Sequence, residues 1–316
     1  MVEATPTAVD VADQDAAAAD EAARRGMRRL SEGSRAWMSA VPTQFLAPDF
    51  GGLPVTPRAK ACLELALLRR LWARVGPGDP ALARVTSAVD AIWADPSFPG
   101  QIAAEPRYAR QYGLAYAALA PAGAGLDQAT LERIAPAGHF TPYSRSSYLR
   151  LEMRFYADLA GLDHDIESYP VLYQGCELPR FAEAPTDIEA AYRVTHTLFH
   201  MTDFGAHAPQ ITEAERRHAL TLVDRMTTHF IAVEHWDLTA ELLLSQHCLG
   251  QDPTLTGSGA AGVRALLAVQ TADGRIPARF AAQRIPETSP PVDLFRRAFH
   301  TTLVTAFASM ISLADA

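Results

Sequence analysis

The chain has 316 residues, 48% of them apolar and 20% charged, with 28 basic against 36 acidic side chains and a formal net charge of −8. That length is enough to bury a large core, as one big domain or two small ones, and an acidic balance without any Lys/Arg run argues against a nucleic acid partner. Cys62, Cys176 and Cys248 lie far apart and form no CxxC, which argues against a disulfide framework or a Cys-rich zinc site and makes a reducing compartment the default.

Residues 1–24 are acidic and Ala-rich with no apolar core, so they read as a disordered arm rather than a signal peptide, and one all-helical domain is expected over 25–316. No run of 18 apolar residues occurs, so no membrane span is expected and the cytoplasm is the expected location. Periodicity predicts a helix over 18–41, carrying Met27, Leu30, Trp37 and Met38, then a Gly/Pro-broken loop, QFLAPDFGGLPVTP. Thr56-Pro57 is expected to cap the next helix, where Cys62, Leu65, Leu68, Trp72 and Val75 recur at steps of three and four. Further helices are expected at 79–94, 105–120, 126–134 and 144–161.

In the second half, Thr186 with Glu189 and Thr212 with Glu215 form capping boxes for helices at 188–203 and 213–233. Gly205 and Gly250 mark the ends of helices at 188–203 and 235–249. A helix at 258–270 follows, and a last one at 290–312 starts after Ser289-Pro290-Pro291. No segment alternates as a strand does, so the fold class is all-α. Helix 213–233 is charged along one face while its neighbours are apolar and small. That alternation of outer and inner helices predicts an α/α toroid, with an irregular multi-helix bundle as the alternative.

The segment LLAVQTADGRIP contains Gln270-x-x-Asp273-Gly274, followed after about twenty residues by an inner-type helix. This resembles the Q-x-x-D-G-x-W turn of the terpenoid cyclase/prenyltransferase α/α-toroid superfamily. There the Gln and the Asp-Gly tie the end of an outer helix to the next turn. The resemblance covers roughly the last 60 residues, in a single copy, with Ile276 in the place of the aromatic residue. It implies a fold and no chemistry, because the D-x-D-D acid motif is missing. In general character the chain is also similar to uncharacterised actinobacterial proteins encoded beside natural-product biosynthesis genes.

Three His residues stand on apolar, inner-type helices: His196 in VTHTLFHMTDFG, His235 in VEHWDLTAELLL and His300 in AFHTTLVTAFA. Offsets of four and seven residues return to within about 40° on a helix, so His196, His200 and Asp203 share a stripe. Converging on a toroid's central cavity, these groups suit general acid/base chemistry or, as His196, His200, Asp203 and His235, a divalent transition metal. His196 and His235 are expected to face each other across the interior. Glu241 belongs with the candidate catalytic residues because a carboxylate among leucines is costly unless partnered. Asp237, four residues earlier, reads better as a first-turn residue complementing the helix dipole. The Arg/Tyr stripe of 142–156 lines an anionic entrance or is a helix's snorkelling edge.

No phosphate-binding, nucleophile-elbow or RNA-binding motif is present. The expected function is an enzyme of secondary metabolism acting on a small or medium organic substrate in a central cavity, by His/Asp acid/base or metal-assisted chemistry. The alternative is a non-catalytic ligand-binding or scaffold protein, in which the histidines have structural roles.

Overall fold

The computed structural model describes residues 8–124 and 146–314, and regular structure among them is helical, with one isolated antiparallel bridge between His235 and Phe280. Helices α1 (Ala8–Ala40), α2 (Pro42–Phe45), α3 (Val55–Val75), α4 (Pro80–Ala94), α5 (Phe98–Ala103) and α6 (Pro106–Ala118) come first. Then follow α7 (Ser147–Leu159), α8 (Tyr169–Gly175), α9 (Ile188–Thr202), α10 (Glu213–Ala232), α11 (Trp236–Cys248), α12 (Gly257–Val269) and α13 (Pro291–Ala314). The helix expected at 126–134 lies outside the described residues. Among those described, no helix is long and apolar enough to cross a membrane.

The arm expected to be disordered over 1–24 is helical from Ala8 onward. Alanine is the strongest helix former, and Ala23, Met27 and Leu30 are buried along this helix. Two expected caps move. Asp187 rather than Thr186 caps α9, accepting from the Ala190 amide at 2.8 Å, and α3 starts at Val55 with no side-chain cap. The Thr212–Glu215 capping box of α10 is present in full.

Six helices pack in a closed circuit: α3 on α6, α6 on α7, α7 on α9, α9 on α11, α11 on α13, and α13 back on α3. Helix α11 is buried along almost its whole length, whereas α10 buries one face only, through residues such as Leu222, Met226 and Phe230. Helices α4 and α10 pack against α3 and α11 respectively, and α12 contacts both α10 and α1. One buried apolar cluster extends from Met27 to Ile311.

The Gln270–Gly274 turn fastens α12 to α1. Gln270 Nε2 donates to the carbonyl of Gly274 at 2.9 Å and to that of Leu30 in α1 at 3.4 Å. Gly274 has a φ of +95°, and its backbone runs so close to Gly33 that a Cβ there would stand 2.1 Å from the Gly33 carbonyl oxygen. Only glycine satisfies both the left-handed conformation and the close approach.

Candidate functional site

The closed circuit surrounds a cavity of about 360 Å³, a size typical of small-molecule sites. Its lining combines an apolar set from four helices (Leu63, Leu67, Ala115, Phe199, Leu303, Val304, Phe307) with Phe204, four tyrosines and a dense group of ionisable side chains. The cavity is thus suited to an organic molecule with a substantial apolar part and at least one polar group.

The ionisable groups come from facing helices. Lys60 and Glu64 are one turn apart on α3, as are Asp237 and Glu241 on α11; His196 is on α9 and His300 on α13. Lys60 Nζ lies 3.3 Å from Glu64 Oε1, and the same oxygen lies 2.9 Å from His300 Nδ1, out of line for a hydrogen bond. On its other edge, His300 Nε2 is 3.7 Å from Asp237 Oδ2 and 3.9 Å from Glu241 Oε1. His196 Nε2 approaches that Glu241 oxygen to 3.7 Å, while its Nδ1 is 3.4 Å from the Tyr148 hydroxyl. Glu241 therefore stands between two imidazoles. Its second oxygen accepts a 2.5 Å hydrogen bond from Thr195, which fixes the carboxylate on the wall.

Asp237 is fully buried and accepts from the Tyr192 hydroxyl at 2.5 Å, with Arg279 Nε at 3.4 Å from the same oxygen. Gln111 donates to both oxygens of Glu152, at 2.7 and 2.8 Å. These contacts act on protonation in opposite directions. Burial alone would raise the Glu64 carboxyl, but Lys60 and His300 outweigh it and hold the group at about 2. Burial likewise disfavours charge on His196, yet the nearby Glu241 carboxylate turns its net shift upward. His300 also shifts upward against burial, through Asp237 and Glu64. His200, one turn beyond His196, is driven well below the usual imidazole range by burial and by His196. Burial and the Asp237 carboxylate both raise the Tyr192 phenol.

Of the residues singled out from sequence, the structure places His196, His200, Glu241 and His300 on the cavity wall. Asp203 and His235 are elsewhere. The stripe that joined Asp203 to His196 assumed a helix continuing through residue 203, but α9 ends at Thr202 and Asp203 adopts a left-handed conformation with φ +48°. Its carboxylate turns to Arg70, which grips it with two nitrogens at 2.6 and 2.7 Å, and to Arg74 at 3.4 Å. His235 is the cap of α11 and not a member of its inner face. Its Nδ1 accepts from the Leu238 amide at 3.2 Å, and its ring packs on Phe230 and Phe280. The Tyr192 ring packs against both His196 and His235, but neither His235 nor Asp203 lines the cavity with His196 and His200, so the grouping His196/His200/Asp203/His235 does not converge there.

Sequence reasoning did not single out Glu64, Lys60, Glu152, Tyr192 or Arg279, and it gave Asp237 a helix-dipole role that its first-turn position also satisfies. Tyr148 and Tyr156 of the 142–156 stripe do line the cavity, whereas Arg150 pairs with Glu167; Tyr143 and Arg145 lie outside the described residues. A signal was present for Lys60: it is the only lysine in the chain and stands on a helix that otherwise uses arginine.

No curated protein and no solved structure matches the chain. One family model does, over residues 31–310, most of the sequence. The chain belongs to that family, described as Domain of unknown function (DUF6895).

Proposed function

We propose that this protein is an enzyme that moves protons on a small or medium organic substrate held in the central cavity, with His196 as the group that gives and takes the proton and Glu241 as its carboxylate partner. The observation that carries this reading is Glu241 itself. A carboxylate only 1% exposed, fixed by Thr195 and set between His196 and His300, is a costly arrangement that a purely apolar binding pocket does not need. His196 keeps 33% of its side chain accessible and has one edge on Glu241 and the other on Tyr148, so it can exchange a proton with a bound molecule while its charge is stabilised. The apolar side chains of the lining exclude water and hold the substrate body.

The same reading takes the six-helix circuit as the inner ring of an α/α toroid, with α4, α10 and α12 as outer helices. Its support is that each of these three follows an inner helix in the chain and contributes nothing to the cavity lining. The proposal is tested by incubating the purified full chain with small-molecule extracts and following them by untargeted mass spectrometry. At least one metabolite should be consumed by wild type and spared by Glu241→Gln. A metabolite that co-purifies with both proteins and is never converted identifies a ligand-binding protein instead, and refutes the enzyme reading.

A further inference from the structure

We propose that Asp237, Glu241 and His300 form a binding site for one divalent first-row transition ion, of the Mn²⁺, Fe²⁺ or Zn²⁺ class. Each offers one ligand atom, and the three atoms lie within 4.8 Å of one another. The grouping differs from the one the sequence pointed to, and it draws on two facing helices.

Three features support an ion here. First, the polar atoms surround a gap. His300 Nε2 is 3.7 Å from Asp237 Oδ2 and 3.9 Å from Glu241 Oε1, and both separations are too long for hydrogen bonds. Two ligands bound at roughly 2.0–2.2 Å to a single ion stand about 3–4.3 Å apart, according to the angle between them, so these separations suit a shared ion. Second, Asp237 is 0% exposed and only partly satisfied: Tyr192 and Arg279 meet Oδ2, the oxygen that faces His300, while Oδ1 has no hydrogen-bond partner among the described residues. A buried carboxylate with one oxygen unmet can take a further positive partner. Third, two buried carboxylates share the site. Asp237 and Glu241 are 0% and 1% exposed, and among the described residues the permanent cation paired with them is Arg279, at 3.4 Å from Asp237; their other cationic partners are His196 and His300 when protonated. A divalent ion takes the place of the His300 proton between the two carboxylates.

Two carboxylates and one imidazole are a donor set for borderline and hard divalent ions, and nothing in it selects copper or a thiolate-seeking metal. His196 Nε2, 3.7 Å from Glu241 Oε1, then borders the ion, so a substrate oxygen polarised there falls within reach of the imidazole.

The experiment needs no substrate, so its outcome is separate from that of the enzyme reading. Tag-free full-length protein is stripped with a chelator, equilibrated with MnCl₂ or ZnCl₂, desalted and analysed for metal, with affinity measured by calorimetry. One equivalent per chain is expected for at least one of the two ions. Asp237→Asn and His300→Ala should each weaken binding at least about tenfold, the loss typical of removing even an outer-shell partner. Asp203→Asn should leave it unchanged. Glu241→Gln, nearly isosteric, provides a third ligand variant should either of the others fail to fold by circular dichroism. Substoichiometric metal in wild type, as expected if water alone fills the gap, overturns the proposal. So does full binding by folded Asp237→Asn and Glu241→Gln.

Discussion

One turn of α9 separates His196 from His200, yet their surroundings drive the two imidazoles apart. Burial opposes charge on both. At His196 the Glu241 carboxylate outweighs it; at His200 the neighbours are the rings of Phe155, Tyr156 and Phe204, and His196 adds like charge. The folded state therefore holds His200 neutral, while the unfolded chain protonates it below an ordinary value of 6.5. Between those two values the unfolded state binds more protons, so this residue makes stability fall as pH drops through 6.5, by up to about 1.4 kcal/mol per pH unit. From pH 7.5 to 5.5, His200→Gln should lose about 1 kcal/mol less stability than wild type in urea denaturation. Parallel losses would show that His200 is not held neutral. Glu241 was legible in the sequence because it interrupts a run of leucines. Glu64 was not, since Lys60-x-x-x-Glu64 is also the spacing of a solvated surface pair, and only the third partner, His300, reveals the difference.

At the scale of elements, the join between α12 and α1 shows how one turn fixes a helix pair. Gly274 and Gly250 both have left-handed φ, at +95° and +77°, but a Cβ at Gly250 meets nothing, whereas at Gly274 it collides with the Gly33 backbone. Gly250→Ala should cost about 1 kcal/mol of backbone strain, and Gly274→Ala more than about 2 kcal/mol, because α1 must also move. Equal thermal shifts for the two variants would contradict the close packing of the turn. Most helix positions were readable from three-and-four spacing, and the ends of α10 and α11 from their caps and glycines. The short helices α5 and α8 were not, having too few residues to show a period. Asp203 failed for a related reason: a helical stripe drawn through the last residue of a helix says nothing about the residue beyond it.

At the scale of the whole molecule, α3, α6, α7, α9, α11 and α13 line the cavity, whereas α4, α10 and α12 contribute nothing to it. This was legible where the contrast is strong, as between charged α10 and apolar α11. The closure of α13 onto α3 was not, because it joins segments more than 200 residues apart through apolar surface that many arrangements would bury equally well. That closure brings Glu64 to His300 and completes the cluster around Glu241. Its consequence for function is most directly measured as kcat/KM of Glu241→Gln and His196→Ala on whichever metabolite wild type consumes. A fall of about 10²–10⁴-fold in both, with helicity retained, is the expected result. Turnover at the wild-type rate by either folded variant would contradict the assignment of this cluster as the reacting centre.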